Sequence, residues 1–295
     1  MEVEYFVVDV FTDRALAGNP LAVMMNTCSL TPEQMQAIAL EFNLSETTFI
    51  ERRPEAVEEA EGVRVRIFTT REELNFAGHP TLGTASVLRL VAPETLREET
   101  VTLRLNVGAV PVRFDRHAEG LFGEMRQPEA EFGAELEAAE VARLIGLEVE
   151  DLEPSLPPQI VSTGTAFAIV ALRSDEALAR LNVRQQEATE WLRERGARWF
   201  YVLGPTGRQT PAWRARMQFN GGEDPATGSA AGCAIGYLVQ RGAVASDEHV
   251  HLRQGVEIRR QSELFLSARI EAARVTDVRV GGSTILVANG RLFLP

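Results

Sequence analysis

Two glycine-polar pairs, Gly78-His79 and Gly228-Ser229, stand at the heads of segments almost free of charge. Those segments, Pro80–Leu90 and Ser229–Gln240, carry Ala, Gly, Leu and Val on every side, and a helix that is apolar all round is buried. The first four N–H groups of a helix lack internal partners, and its dipole favours anions there. Glycine lets a ligand approach that backbone closely. Two such N-termini facing one another across a cleft would grip a small carboxylate substrate. The alternative is that both glycines only shape turns.

Other residues close off whole classes of chemistry. The chain has no lysine, so all 30 basic residues are arginine. That excludes a Schiff base, pyridoxal phosphate held on lysine, and a P-loop lysine. There is no G-x-G-x-x-G, so no cofactor is expected. His249-Val250-His251 places two imidazoles on one strand face, but no Cys or acidic cluster stands at ligand spacing, so no metal is expected. Ser229 lacks the G-x-S-x-G elbow of a nucleophile. The two cysteines, Cys28 and Cys233, form neither a CxxC nor a disulfide ladder.

A net charge of −12 argues against a nucleic-acid partner. Met1 leads directly into the strand-like Tyr5-Phe6-Val7-Val8, with no signal-peptide pattern, and no apolar run approaches the length of a membrane span. A soluble protein of the reducing cytoplasm is expected.

The elements that must position these residues are mostly strands. The runs Tyr5–Phe11, Leu21–Met25, Thr47–Ile50, Val63–Phe68, Val101–Leu105, Val110–Phe114, Ala166–Leu172, Trp199–Leu203, Val250–Ile258, Leu264–Ile270 and Val278–Phe293 are apolar and β-branched. Val63-Arg64-Val65-Arg66-Ile67 alternates with the period of a half-buried strand. Thr31-Pro32-Glu33-Gln34 reads as a capped helix start, with the helix reaching Phe42. Glu137–Ile145 and Arg184–Arg195 read as surface helices. The acidic run Glu55–Glu61 reads as a solvated hairpin tip, and Gly281-Gly282 as a turn or bulge. Gln127–Gln159, rich in Pro, Glu and Ala with few strand signals, reads as a domain junction.

The halves echo one another. At an offset of 150 positions Arg64 and Arg66 fall on Arg214 and Arg216, Gly78 on Gly228, and Leu88 on Leu238. Each half runs strand, loop, glycine-polar pair, buried helix, which suggests a tandem architecture.

Five blocks carry a family resemblance. They are Asp9-Val10-Phe11-Thr12-Asp13-Arg14 with Gly18-Asn19-Pro20-Leu21-Ala22-Val23; Leu44-Ser45-Glu46-Thr47-Thr48-Phe49; Phe76-Ala77-Gly78-His79-Pro80-Thr81-Leu82-Gly83-Thr84-Ala85; Glu223-Asp224-Pro225-Ala226-Thr227-Gly228-Ser229-Ala230; and, more loosely, Gln254-Gly255 through Val280-Gly281-Gly282. Together they resemble the phenazine-biosynthesis isomerase (PhzF-like) family, relatives of the diaminopimelate epimerases. Thr70, Asn75 and Gln261 stand where the family usually has proline, and the segment between Arg216 and Glu223 is short. These departures touch substrate identity more than fold.

The resemblance implies an α+β, diaminopimelate-epimerase-like fold: two similar lobes, each a β-barrel-like sheet around a central buried helix, with the active site between them. The N-terminal lobe would take residues 1–128 with a returning strand 284–295, and the C-terminal lobe residues 129–283. It implies Glu46 as the catalytic acid/base, its pKa raised by neighbouring Leu44, Phe49 and Phe76. His79 would donate or relay a proton, and Asp224 would hold a substrate amine or hydroxyl, unless Asp224 merely caps a helix. Asn19, Gly78, Gly228 and Ser229 would line the substrate, although Asn19 could equally be a turn residue before Pro20. The implied activity is cofactor-independent isomerisation of a small cyclic or unsaturated amino or hydroxy acid, of the trans-2,3-dihydro-3-hydroxyanthranilate isomerase type, in a homodimer. The related epimerases place a cysteine at each helix start. Here His79 and Ser229 stand there, which disfavours a two-thiol racemase. A non-catalytic binding protein is the remaining alternative.

Overall fold

In the computed structural model, residues 1–91, 99–114, 121–207, 212–219 and 221–294 are described; Pro295, the end of the expected returning strand, lies outside the described residues. The chain divides into two compact units, Met1–Arg126 with Gly281–Pro295, and Gln127–Val280.

The N-terminal unit is built on β1 (Glu2–Val10), β2 (Asn19–Met24), β3 (Thr47–Glu51), β4 (Val63–Phe68), the short β5 (Glu73–Leu74), β6 (Thr100–Leu105), β7 (Gly108–Phe114) and β8 (Leu121–Arg126). The long strand β18 (Arg274–Phe293) completes it from Gly281 onward. The order β1-β2-β3-β4-β6-β7-β8-β18 returns to β1, so the sheet closes into an eight-stranded mixed barrel. Closure is made by residues 2–10 pairing with 284–293, with a bulge between Val7 and Val8. From Pro20 onward β2 reads as unbroken apolar residues because both its faces are covered. Leu21 and Val23 are fully buried, while Ala22 and Met24 pack beneath α1 (Pro32–Phe42) with Met35, Ile38 and Phe49. As the sequence predicts, α1 starts at a capping box, with Thr31 accepting from Gln34 N.

Through the barrel runs α3 (Gly78–Val91), packed against β1, β2, β6, β7 and β8, with every residue from Gly78 to Leu88 buried. Gly83 permits that depth: a Cβ there would stand 2.7 Å from both Leu21 Cδ2 and Val10 Cγ2.

Two expectations are corrected in this unit. Glu55–Glu61 is a helix, α2, rather than a hairpin tip. Pro54 precedes it, acidic residues in its first turn suit the dipole, and its carboxylates are anchored. Glu58 accepts from Arg52 at 2.8 Å and from Arg53 N at 2.7 Å, and Glu61 pairs with Arg53 at 2.7 Å. Gly281-Gly282, expected as a turn or bulge, lies within β18, which excludes the turn. A Cβ on Gly281 would stand 3.0 Å from the Phe122 ring, so this glycine permits close packing there.

The C-terminal unit contains β9 (Glu131–Glu135), β10 (Gln159–Ser162), β11 (Ala166–Ala171), β12 (Phe200–Pro205), β13 (Ala212–Arg216), β16 (Val250–Gln254) and β17 (Ser262–Glu271), in the order β17-β16-β13-β12-β11-β10-β9. β14 (Gln218–Phe219) and β15 (Gly222–Glu223) form a separate small hairpin. The stretch expected to be a junction is folded structure. The unit does begin at Gln127, but β9 pairs with β10, and α4 (Ala138–Ile145) buries Val141, Leu144 and Ile145 in a cluster shared with β10–β12 and α5 (Gln185–Arg193). α6 (Gly228–Gln240) is the buried helix here, packed against β10, β11 and β17.

The internal echo is structural. β4 pairs parallel to β6 across α3, as β13 pairs parallel to β16 across α6. The arginines of the echo carry an equivalent that the sequence reading missed. Arg66 grips Glu73 through two hydrogen bonds, at 2.8 and 2.6 Å. Arg216 grips Glu223 at 3.0 and 2.6 Å, and both members of that pair lie 150 positions further on.

Candidate active site

Three of the expected site residues meet in the N-terminal unit. Asn19 opens β2 and is fully buried. His79 is the second residue of α3, and Glu46 immediately precedes β3. Buried threonines lock the two elements together: Thr84 of α3 donates to Thr48 Oγ1 of β3 at 2.8 Å, and Thr81 ties its own turn to Ala77 O at 2.7 Å. Glu46 therefore reaches His79, with Oε2 3.4 Å from Nε2. The imidazole is 5% exposed and the carboxylate 17%, so the glutamate is the member open to a small molecule. Leu44 and Phe49 join the apolar cluster beneath α1.

Burial pushes the His79 pKa down to about 3, so the ring is neutral. Asn19 Nδ2 donates to Nδ1 at 3.3 Å. The proton of the neutral ring then resides on Nε2, facing Glu46. The pair is a neutral imidazole beside a carboxyl group at 3.4 Å, rather than an ion pair.

The C-terminal unit holds the other candidates at the head of α6. Asp224 is 8% exposed and accepts from Thr227 Oγ1 at 2.6 Å. Thr227, and not Asp224, occupies the N-cap position. Gly228 is buried and Ser229 half-buried. Gln127 Nε2 donates to Gly228 O at 2.9 Å, and Thr163 Oγ1 to Gln127 Oε1 at 2.7 Å, so the first turn is braced from behind. Gln127, Thr163, Tyr201 and Gln254 escaped the sequence reading as site residues; the only signal was Gln254-Gly255 in the fifth block.

The remaining candidates are accounted for locally. His251 contacts the Glu263 carboxylate across β16 and β17, and stacks on Phe265 at 5.0 Å. Among the described residues no group of three His, Cys, Asp or Glu could hold a metal. Cys233 is buried a turn inside α6, 3.5 Å from Thr163 Oγ1, and burial pushes its pKa up to about 11. A thiol so placed supplies no thiolate at neutral pH. Cys28 is exposed. Among the described residues no helix is long and apolar enough to cross a membrane.

The chain is similar to known proteins over nearly its whole length. The phenazine biosynthesis-like protein family (PhzC-PhzF) matches residues 8–290. A trans-2,3-dihydro-3-hydroxyanthranilate isomerase of Pseudomonas aeruginosa is 33% identical, over 98% of this chain and 99% of its own. The structure of a predicted epimerase, also from Pseudomonas aeruginosa, superimposes with a TM-score of 0.86 at 35% identity, covering 99% of this chain and 100% of its own. A hydroxyproline epimerase from Agrobacterium vitis shares the fold, with a TM-score of 0.63 at 11% identity over 99% of this chain and 92% of its own. Fold and relatives define an enzyme of the isomerase and epimerase class. The chain belongs to the phenazine biosynthesis-like (PhzC-PhzF) family.

Proposed function

We propose that the protein is a cofactor-independent isomerase that shifts a proton between carbons of a small cyclic or unsaturated amino or hydroxy acid, with Glu46 as the acid/base. The observation that carries this reading is the contact between the half-buried Glu46 carboxyl and the neutral, buried His79 N–H, 3.4 Å apart. As a base, Glu46 takes a proton from an sp³ carbon, and the electrons of the broken C–H bond enter the conjugated system. As an acid, it returns the proton to carbon at the far end of that system. The product has the formula of the substrate, and no electron carrier is required. His79, held by Asn19 through Nδ1, stands against the carboxyl group with its neutral ring and orients it. Asp224 is assigned to a substrate amine or hydroxyl, and the helix-start residues Gly78, Gly228 and Ser229 to substrate binding through backbone N–H groups. The compound named for the Pseudomonas relative, trans-2,3-dihydro-3-hydroxyanthranilate, is the substrate type to try first.

The test is Glu46→Gln, which keeps shape and removes the base. General acid–base groups contribute about 10²–10⁴-fold, so kcat should fall at least ~100-fold with a smaller change in ligand affinity. In heavy water the wild type should place deuterium on the carbon that gains the proton. Wild-type turnover by Glu46→Gln would refute the assignment.

A further inference from the structure

We infer that Gln254 and Thr227 are positioning residues that fix the orientation of Asp224 and thereby make it an acceptor for a hydrogen-bond donor of the substrate; this rests on the proposed assignment of Asp224 to substrate binding. The direction of every hydrogen bond in the chain follows from one obligate donor. Thr227 N–H can only donate, and it donates to Gln254 Oε1 at 3.1 Å. Tyr201 O–H reaches the same oxygen at 2.9 Å, and burial pushes that phenol's pKa well up, so it too is a donor. The amide is thereby fixed, and Gln254 Nε2 donates to Thr227 Oγ1 at 2.9 Å and to Asp224 O at 2.8 Å. With its oxygen accepting from Gln254, the Thr227 hydroxyl must turn its own proton to Asp224 Oδ2, 2.6 Å away. Tyr201 and Gln254 are fully buried, and Thr227 is 7% exposed, so water does not compete for these groups.

Thr227 breaks a local rule to do this. A threonine at an N-cap ordinarily accepts from the first turn of its helix. Thr31 does so at the head of α1, yet Thr227 makes no capping hydrogen bond on α6 and aims its hydroxyl at Asp224. Departures from local preference of this kind concentrate at functional sites. Gly255 supports the same reading. Its φ is +74°, and a Cβ there would stand 2.8 Å from Pro225 O and 2.3 Å from Arg260 O. Only glycine lets the end of β16 bring Gln254 against the 224–227 segment. That accounts for Gln254-Gly255 in the fifth sequence block.

The variants Thr227→Val, Thr227→Ser and Gln254→Glu decide the matter, each examined by crystallography, thermal unfolding and kinetics. Thr227→Val removes the proton given to Asp224 without removing a cap. Gln254→Glu keeps the atoms but replaces a donor by an acceptor, which draws the Thr227 proton away from Asp224. In both, the Asp224 carboxylate should leave its wild-type rotamer while α6 stays in place. Thr227→Ser should restore the rotamer. With any substrate the wild type turns over, the first two should raise KM about tenfold with kcat within about twofold, as for loss of uniform binding, and Thr227→Ser should behave as wild type. An unchanged Asp224 rotamer in both Thr227→Val and Gln254→Glu overturns the inference, and so does a Thr227→Ser variant as impaired as Thr227→Val. The structural arm needs no substrate. If Glu46→Gln retains full turnover, the proposed base is lost while the rotamers still decide this assignment.

Discussion

A buried neutral histidine makes the protein's stability fall in mild acid. His79 has an ordinary pKa near 6.5 in the unfolded chain and about 3 in the native one. Between those values the unfolded state binds more protons, so stability rises with pH through the window and is lost as the pH falls from 6.5 toward 3. One pKa unit is 1.36 kcal/mol, so the full window is worth about 5 kcal/mol, and acidification to pH 5 costs about 2 kcal/mol. The Glu46 carboxyl at 3.4 Å pulls the other way, but the ring is 5% exposed and desolvation dominates. The assay is urea unfolding of wild type and His79→Gln, which keeps a side-chain N–H but does not titrate. From pH 7.5 to 5 the wild type should lose about 2 kcal/mol more than the variant. The imidazole C–H proton resonance of His79 should stay at its neutral position across that range. A resonance that titrates near 6.5, or pH dependences that run parallel in the two proteins, would refute the reasoning.

Gly83→Ala should destabilise the N-terminal unit by about 1–3 kcal/mol, because the new methyl meets Leu21 and Val10; an unchanged urea midpoint counts against the packing argument. Thr84→Val removes the hydroxyl that ties α3 to Thr48, and should cost about 1–3 kcal/mol together with turnover, since Glu46 lies two residues from Thr48; a variant with wild-type kcat would mean the lock does not position the site. Dialysis against a chelator should leave activity intact, and the purified protein should show no visible absorbance; activity restored only by added metal would sink the cofactor-free reading. Light scattering should give twice the mass of one chain, and a monomer at micromolar concentration would exclude the expected homodimer.

What the sequence reveals depends on how local the determinant is. Pro80–Leu90 and Ser229–Gln240 were legible as enclosed helices because a charge-free helical face has nowhere else to go, and the helix at Pro32 was legible from its cap. Glu55–Glu61 was not. It lacks an apolar stripe, and its helix is held by Arg52 and Arg53 outside the pattern that periodicity reads. Besides the two-residue strands, four strands escaped for a similar reason. Leu121–Arg126 is interrupted by Gly123, Ala212–Arg216 carries arginine at two of its five positions, Glu131–Glu135 is mostly exposed, and Gln159–Ser162 is only four residues long. The candidate residues Glu46, His79 and Asp224 stood out through motif resemblance. Gln254 did not stand out as one of them, since its partners Tyr201, Asp224 and Thr227 are distant in the chain and only the fold assembles them.

The strand that shuts the N-terminal barrel bears on how the protein emerges from the ribosome. Residues 2–10 are made before one of their two partner strands, residues 284–293, and the whole of residues 127–280 is translated in between. Residues 127–280 form a contiguous unit and can complete their sheet while the tail is still being translated. Throughout that interval β1 and β8 present open edges, the templates for mispairing with other chains. The nascent barrel is thus a ring without its clasp until residues 284–293 are made, and its final closure is a long-range pairing, the slow kind. Translational pausing ahead of residue 284 would prolong that exposure, whereas a pause near residue 127 would leave only the first unit waiting.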